Sequence, residues 1–344
     1  MEGSIKSIID GFKNYYTLFL FFPIITIIRT REQFRLFTQI IIIIGLLNVL
    51  VYFFQFATGT VLPASSGSWD HGVFRVNHPG FNVIPIAMLL ILGRILYPAS
   101  NSNPILNYFI LLVFIAAFFV SVSKGSITAS LVSILVVLAY HNRSKIQNFL
   151  LYVFLGLIGI VLSFIILINI FHFRASSITE RFSDEIENVG EDGSSSQVRG
   201  EMIGTKMEYI LLNHPIFGVG FVYYKPEEGE KKWKYYKNPI AVVGDATYQN
   251  IVIVTGYLGL IFWLLNLYKS FLLGKKIFKK VNDPFLKSVA IALIGIPIFG
   301  LLHGFSSNYF STRGFIFITI MSSYTFLLFK FTLQEFQKNE NSHT

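Results

Sequence analysis

The chain has 344 residues, 53% hydrophobic and 14% charged, with 36 phenylalanines, a net charge of +9 and no cysteine. That apolar excess, with a mean hydropathy of +0.58, excludes an ordinary soluble domain and specifies a polytopic membrane protein. The missing cysteines exclude disulfides, thiolate metal sites and thiol nucleophiles. The opening MEGSIKSIIDGFKNYY lacks the apolar run and small-residue end of a cleavable signal.

A helix rises ~1.5 Å per residue, so ~20 apolar residues cross the ~30 Å hydrocarbon core. In chain order the apolar stretches are 15–28 (short, with Pro23), 36–56, 82–98, 105–121, 125–140, 147–173, 246–268, 285–302 and 314–332. They predict an all-α, polytopic helical membrane protein of roughly nine spans. Between spans six and seven lies a 72-residue polar island, 174–245, expected to contain short helices. The island holds nine Lys/Arg and twelve Asp/Glu, a net −3, so the remainder carries +12.

The basic excess orients the chain. Arg29, Arg31 and Arg35 follow span one, Arg143 and Lys145 follow span five, and Lys269, Lys275, Lys276, Lys279 and Lys280 follow span seven. Lys330 and Lys338 follow the last span. All fall on one side, which the positive-inside rule makes cytoplasmic, so the island faces the periplasm or the outside. Nine spans with a cytoplasmic C-terminus leave the N-terminus outside. That predicts either a half-span at the start or earlier spans that a longer relative would carry.

Few charges remain on the outer side. Arg75 lies in FRVNHPGFN, Lys124 in the tight SVSKGS turn, Arg313 in SSNYFSTRG, and Arg199 at the head of RGEMIGTKMEYILLNHPIFGVGF. Four cations from distant loops converge on one face. They either snorkel to lipid phosphates or bind an anion at the membrane surface. Ile203, Met207 and Ile210 follow helical spacing, so 199–213 reads as an amphipathic helix with Arg199 on its packing stripe. His214-Pro215 stops it. Gly218 and Gly220 then permit a tight turn or a close backbone approach. Asp245 opens span seven, either as a helix cap or as a base at the membrane surface. Asp70-His71 and the Asp184/Glu185/Glu187 run resemble metal ligands only weakly, and the acidic run reads as a solvated face. No H-E-x-x-H, P-loop or G-x-S-x-G is present, and neither a cofactor, a metal nor a nucleic acid is expected.

These motifs, in this order and topology, resemble the bacterial O-antigen polymerase and O-antigen ligase family of integral membrane enzymes. The likeness rests on Arg75 before VNHPGFN, SVSKG at 121–125, Arg199 through HP-x-x-G-x-G at 214–220, and Asp245 ahead of Gly256-x-x-Gly259. Two positions depart from the pattern: Lys124 stands for arginine, and Asp245-Ala246 for a His-Asn pair expected of ligases.

The resemblance implies a metal-independent glycosyltransferase of the hexosyltransferase type, in the cytoplasmic (inner) membrane, working on its outer face. The substrate would be an undecaprenyl-diphosphate-linked oligosaccharide, and a chain-length regulator is a further partner it allows. Arg199 would stabilise the leaving diphosphate, with Arg75, Lys124 and Arg313 as helpers and Asp245, or His214, as base. A repeat-unit polymerase of O-antigen or another surface polysaccharide is the leading expectation. A ligase delivering glycan to lipid A core or another acceptor comes second, and a lipid-linked oligosaccharide flippase or transporter third. A transporter should line a mid-membrane path with charge. Here Arg94 is the clearest span-embedded charge, and it lies near the cytoplasmic end. No internal repeat is evident, and GSSSQ (193–197) is the only low-complexity tract.

Overall fold

The computed structural model describes residues 16–62, 66–70, 73–77, 79–99, 103–120, 123–143, single positions between 147 and 161, 195–220, 247–305 and 315–341. The described fold is a helical bundle: α1 (Tyr16–Phe19), α2 (Phe21–Ile27), α3 (Arg31–Thr58), α4 (Ile84–Leu96), α5 (Pro104–Val120), α6 (Lys124–His141), α7 (Ser195–Asn213), α8 (Thr247–Lys280), α9 (Pro284–His303) and α10 (Phe315–Asn341). The helices α3, α8, α9 and α10 are long and apolar enough to cross a membrane. Shorter apolar helices cover 17–27, 80–96, 104–120 and 125–141. This is the all-α polytopic membrane architecture that the apolar runs predict.

Local chemistry explains the element ends. Thr30 caps α3 with a capping box, its hydroxyl accepting from Gln33 N while Gln33 Oε1 accepts from Thr30 N. Asp283 caps α9, its Oδ1 accepting from Leu286 N at 2.8 Å, and Pro284 occupies the first turn, where no amide partner is lost.

Four differences from the sequence reading appear. The first apolar stretch is two short helices, with the chain interrupted at Leu20; its 11-residue apolar stretch, 17–27, is too short to cross a bilayer. Span seven is longer than 246–268 and is broken at Gly256, whose φ of 68° and ψ of −171° no helix contains. Third, the stretch around Arg75 forms an antiparallel hairpin, β1 (Ser66–Asp70) with β2 (Val73–Asn77), in which Ser68 pairs with Arg75 and Trp69 with Phe74. The Val-Phe-x-Val run suits an extended backbone, and the period-3.6 search for spans passes over it. The fourth is in the island, where the helix begins at Ser195, four residues before Arg199. Most of the sixth span, 147–173, and the island outside 195–220 lie outside the described residues.

The central element is α9, which packs against α4, α6, α8 and α10 and is buried nearly all round. Small residues let the helices approach. A Cβ on Gly93 of α4 would collide with the Ser288 carbonyl, and one on Gly274 of α8 would lie 2.9 Å from the Ala290 oxygen. In hydrocarbon, helix pairing depends on such close contact because lipid tails are as apolar as leucine.

At one end of the bundle the basic loops meet. Arg31 pairs with Asp283, Arg35 stands 4.0 Å from the same carboxylate, and Lys330 Nζ donates to the Ile28 carbonyl at 3.0 Å. Arg143 and Lys275 lie over the Tyr140 ring, and Lys287 lies over the rings of Tyr97 and Phe278. The cations assigned to the cytoplasmic side thus gather at one end.

Candidate functional site

The opposite end holds every candidate residue or its nearest described neighbour. Its hub is the C-terminal turn of α9. His303 is buried between Phe299 and Phe81, with ring centroids 5.0 and 6.2 Å away. Its Nε2 lies 2.6 Å from Ser126 Oγ on α6. Ser126 in turn donates to Ser123 Oγ at 2.9 Å. Ser126 Oγ is thus the shared partner of His303 Nε2 and Ser123 Oγ. On the other side of the hub, Thr247 N donates to the Gly304 carbonyl at 2.8 Å and Tyr248 donates its hydroxyl proton to the Leu301 carbonyl. Phe305 packs on the Tyr248 ring at 4.7 Å.

This hub joins segments far apart in sequence. Ser126 is two residues after Lys124, the first residue of α6, and Thr247 is two residues after Asp245. Phe81, in the 3-10 turn Pro79–Val83 that follows β2 and its Arg75, touches His303 and also packs on Phe118 and Tyr52. Phe315, two residues after Arg313, is buried with Ile251 and Val254 of α8. Asp245 and Arg313 themselves lie outside the described residues, and the Arg75, Lys124 and Arg199 side chains are not described.

The stretch with Arg199 docks onto the start of α8. Ile210 is fully buried against Val252 and Ile253, and Met207 packs beside it. Ile203 is half-buried, so the stripe predicted to face the membrane domain does so. The helix ends at Asn213, before His214-Pro215, as expected. His214 is exposed, its ring 6.2 Å from that of Tyr209.

The two glycines stand at the end of a turn, and the close backbone approach is to α8. Gly218 and Gly220 have φ of 65° and 79°, and the 215–220 segment crosses the break in α8. Val219 N donates to Ile253 O at 2.7 Å and Gly220 N to Val254 O at 3.0 Å. In return Tyr257 N donates to Pro215 O at 2.9 Å and Leu258 N to Ile216 O at 3.4 Å. A continuous helix would pair Tyr257 N with Ile253 O and Leu258 N with Val254 O. The loop therefore inserts into the ladder and satisfies all four groups of those two bonds. Gly256 makes this possible, because only glycine adopts its φ/ψ readily. A Cβ there would collide with the Ile216 carbonyl and come 2.7 Å from Gly218 N.

Sequence reasoning missed two residues here. Lys206 is buried on the docked stripe between Ile203 and Ile210, and desolvation lowers its ammonium to about 8. A charge interrupting an apolar stripe was the available signal. His303 sits at the end of an apolar run, and an ionisable residue at membrane depth was the signal. Buried amides also line this end: Gln55 Oε1 and Nε2 and Gln249 Nε2 have no hydrogen-bond partner among the described residues.

The family described as O-antigen ligase matches residues 109–264, from α5 through α6 and α7 to the middle of α8. No curated protein matches the chain.

Proposed function

We propose, from the match of residues 109–264 to the family described as O-antigen ligase, that the chain belongs to the O-antigen ligase and polymerase family and is a repeat-unit polymerase of a surface polysaccharide. The enzyme joins undecaprenyl-diphosphate-linked oligosaccharides at the outer face of the cytoplasmic membrane. An acceptor-sugar hydroxyl attacks the anomeric carbon of the donor glycan. The carbon–oxygen bond to the diphosphate breaks, its electron pair leaves with the diphosphate, and the hydroxyl proton passes to a base. Asp245 is that base, with His214 the alternative. Arg199 stabilises the charge that builds on the leaving group, because preorganised cations act most where charge develops and a guanidinium binds phosphate oxygens in a fork. Arg75, Lys124 and Arg313 bind the same diphosphate. No metal takes part.

The observation that carries the reading is the hub at the end of α9. Ser126 and Thr247 are bonded to His303 and Gly304, so the chain segments that continue into Lys124 and Asp245 start from one point. The α7 helix with Arg199 docks beside them. Ligation is the second reading, favoured by the description of the matching family and disfavoured by Asp245 where a ligase histidine is expected.

The test is the glycan ladder of cells carrying wild type or Arg199→Ala at equal membrane levels. The expected result is many rungs in wild type and a single repeat in the variant. Long lipid-linked chains that never reach the final acceptor would make the protein a ligase. An unchanged ladder would remove Arg199 from the mechanism.

A further inference from the structure

The elbow that follows α7 is apolar on the wrong side for a water-exposed loop. While Ile210 is buried against α8, its neighbours Leu211 and Leu212 are 56% and 73% exposed, and Ile216 and Phe217, just past Pro215, are 57% and 73% exposed. Four large apolar side chains within seven residues make a patch that water opposes and that contains no Lys, Arg, Asp or Glu.

The height of this elbow is fixed. Its backbone is bonded to α8 at Ile253, Val254, Tyr257 and Leu258. Below those residues α8 turns an apolar face outward through Leu258, Ile261, Phe262, Leu265, Tyr268 and Leu272. That face carries Lys269 near its lower end and stops at Lys275 and Lys276. A ~30 Å hydrocarbon core takes ~20 helical residues. Counted back from Lys269 and from Lys275, the core ends between roughly residues 249 and 255, beside the residues that hold the elbow.

We infer that Leu211, Leu212, Ile216 and Phe217 form an interfacial anchor inserted among the acyl chains of the leaflet opposite the lysine-rich end of α8. The occupant is lipid, since the elbow is bonded at Ile216 to Leu258, where the outward apolar face of α8 begins. The anchor ties α7, and so Arg199, to the depth of the lipid headgroups. It would hold for any chemistry at that site, and it stands apart from the polymerase reading.

The chain has no cysteine, so single cysteines report depth directly. The variants F217C, L212C, F262C and E208C are labelled with an environment-sensitive fluorophore and reconstituted in phosphatidylethanolamine/phosphatidylglycerol vesicles. Quenching is measured with shallow brominated lipids and with aqueous iodide. Phe262 is the lipid-facing reference, and Glu208, exposed one turn of α7 before Leu212, is the aqueous one. The expected result is lipid quenching at 212 and 217 within about twofold of that at 262, with blue-shifted emission, and iodide quenching only at 208. Iodide quenching at 217 equal to that at 208 overturns the proposal. So does protection from both quenchers together with disulfide-linked dimers of unlabelled F217C under an added oxidant, which would make the patch a contact between two copies of the chain.

Discussion

Replacing Gly256 by alanine tests the crossing of the 215–220 loop and α8. The substitution forces a Cβ into a backbone conformation that costs of order 1–3 kcal/mol for a non-glycine residue, and the added atom collides with the Ile216 carbonyl. Relief comes if the loop leaves. Four loop–helix hydrogen bonds are then lost, while α8 can straighten and re-form two of its own. The net loss is two bonds at about 0.5–1.5 kcal/mol each. Those bonds are lost on undocking in wild type and variant alike, so the strain alone shifts docking, by about 1–3 kcal/mol, a fall in the docking constant of roughly 5-fold to 150-fold at 1.4 kcal/mol per decade. Two readouts apply to the enzyme in nanodiscs and in cells: amide hydrogen exchange of 215–220, and the length of the glycan ladder. The expected result is fast exchange and a shortened ladder. Related positions calibrate the effect. Gly218→Ala should match Gly256→Ala, since a Cβ there lies 2.5 Å from Ile253 O and 2.6 Å from Gly256 N. Gly220→Ala meets open space and carries only the positive-φ cost of about 1–2 kcal/mol. Gly204→Ala, in open space within α7, should be neutral or stabilise the helix by about 0.5–1 kcal/mol. Wild-type exchange and ladder in Gly256→Ala, or a larger effect at Gly220 than at Gly256, would refute the reasoning.

The hub makes its own prediction: His303→Phe removes the ring nitrogen bonded to a buried Ser126 hydroxyl and should cost about 1–3 kcal/mol, read as a lower unfolding midpoint. His303→Gln keeps a hydrogen-bonding group near the Nε2 position and should recover part of that loss. Ser126→Ala added to His303→Phe should cost less than the sum of the two single changes, because they share one bond; full additivity would show that the two residues are not coupled. Lys206 predicts a pH dependence. Its folded value of about 8 lies below the ~10.4 of an unfolded lysine, so between those values the unfolded chain binds the extra proton. Stability should therefore be insensitive to this group below about pH 8 and rise with pH from there to about 10. Unfolding midpoints of wild type and Lys206→Met over pH 7 to 10 check this, and an equal pH slope in both proteins would exclude the lysine as its source.

Much of this protein was legible as sequence because a bilayer imposes one-dimensional rules. Apolar length fixed the spans, so α9 and α10 begin within one residue of the expected positions. Charge asymmetry sorted the loops, and Arg31, Asp283, Arg143 and Lys275 do meet at one end. The 3–4 spacing of Ile203, Met207 and Ile210 determined which face of α7 docks, and His214-Pro215 determined where it stops. The hairpin carrying Arg75, the break at Gly256 and the bond from His303 to Ser126 were decided only by tertiary structure. Each depends on a partner that local pattern does not encode. Gly256 in sequence is one glycine in an apolar run, compatible with an unbroken helix. It becomes a break because Gly218 and Gly220, some forty residues earlier, bring a backbone close enough to take over its neighbours' hydrogen bonds. Ser126 and His303 are 177 residues apart, and their meeting follows from how α6 and α9 pack. Hydrophobic burial is additive along the chain and can be read from it, whereas a hydrogen bond needs two groups at a fixed distance, which only the folded chain supplies.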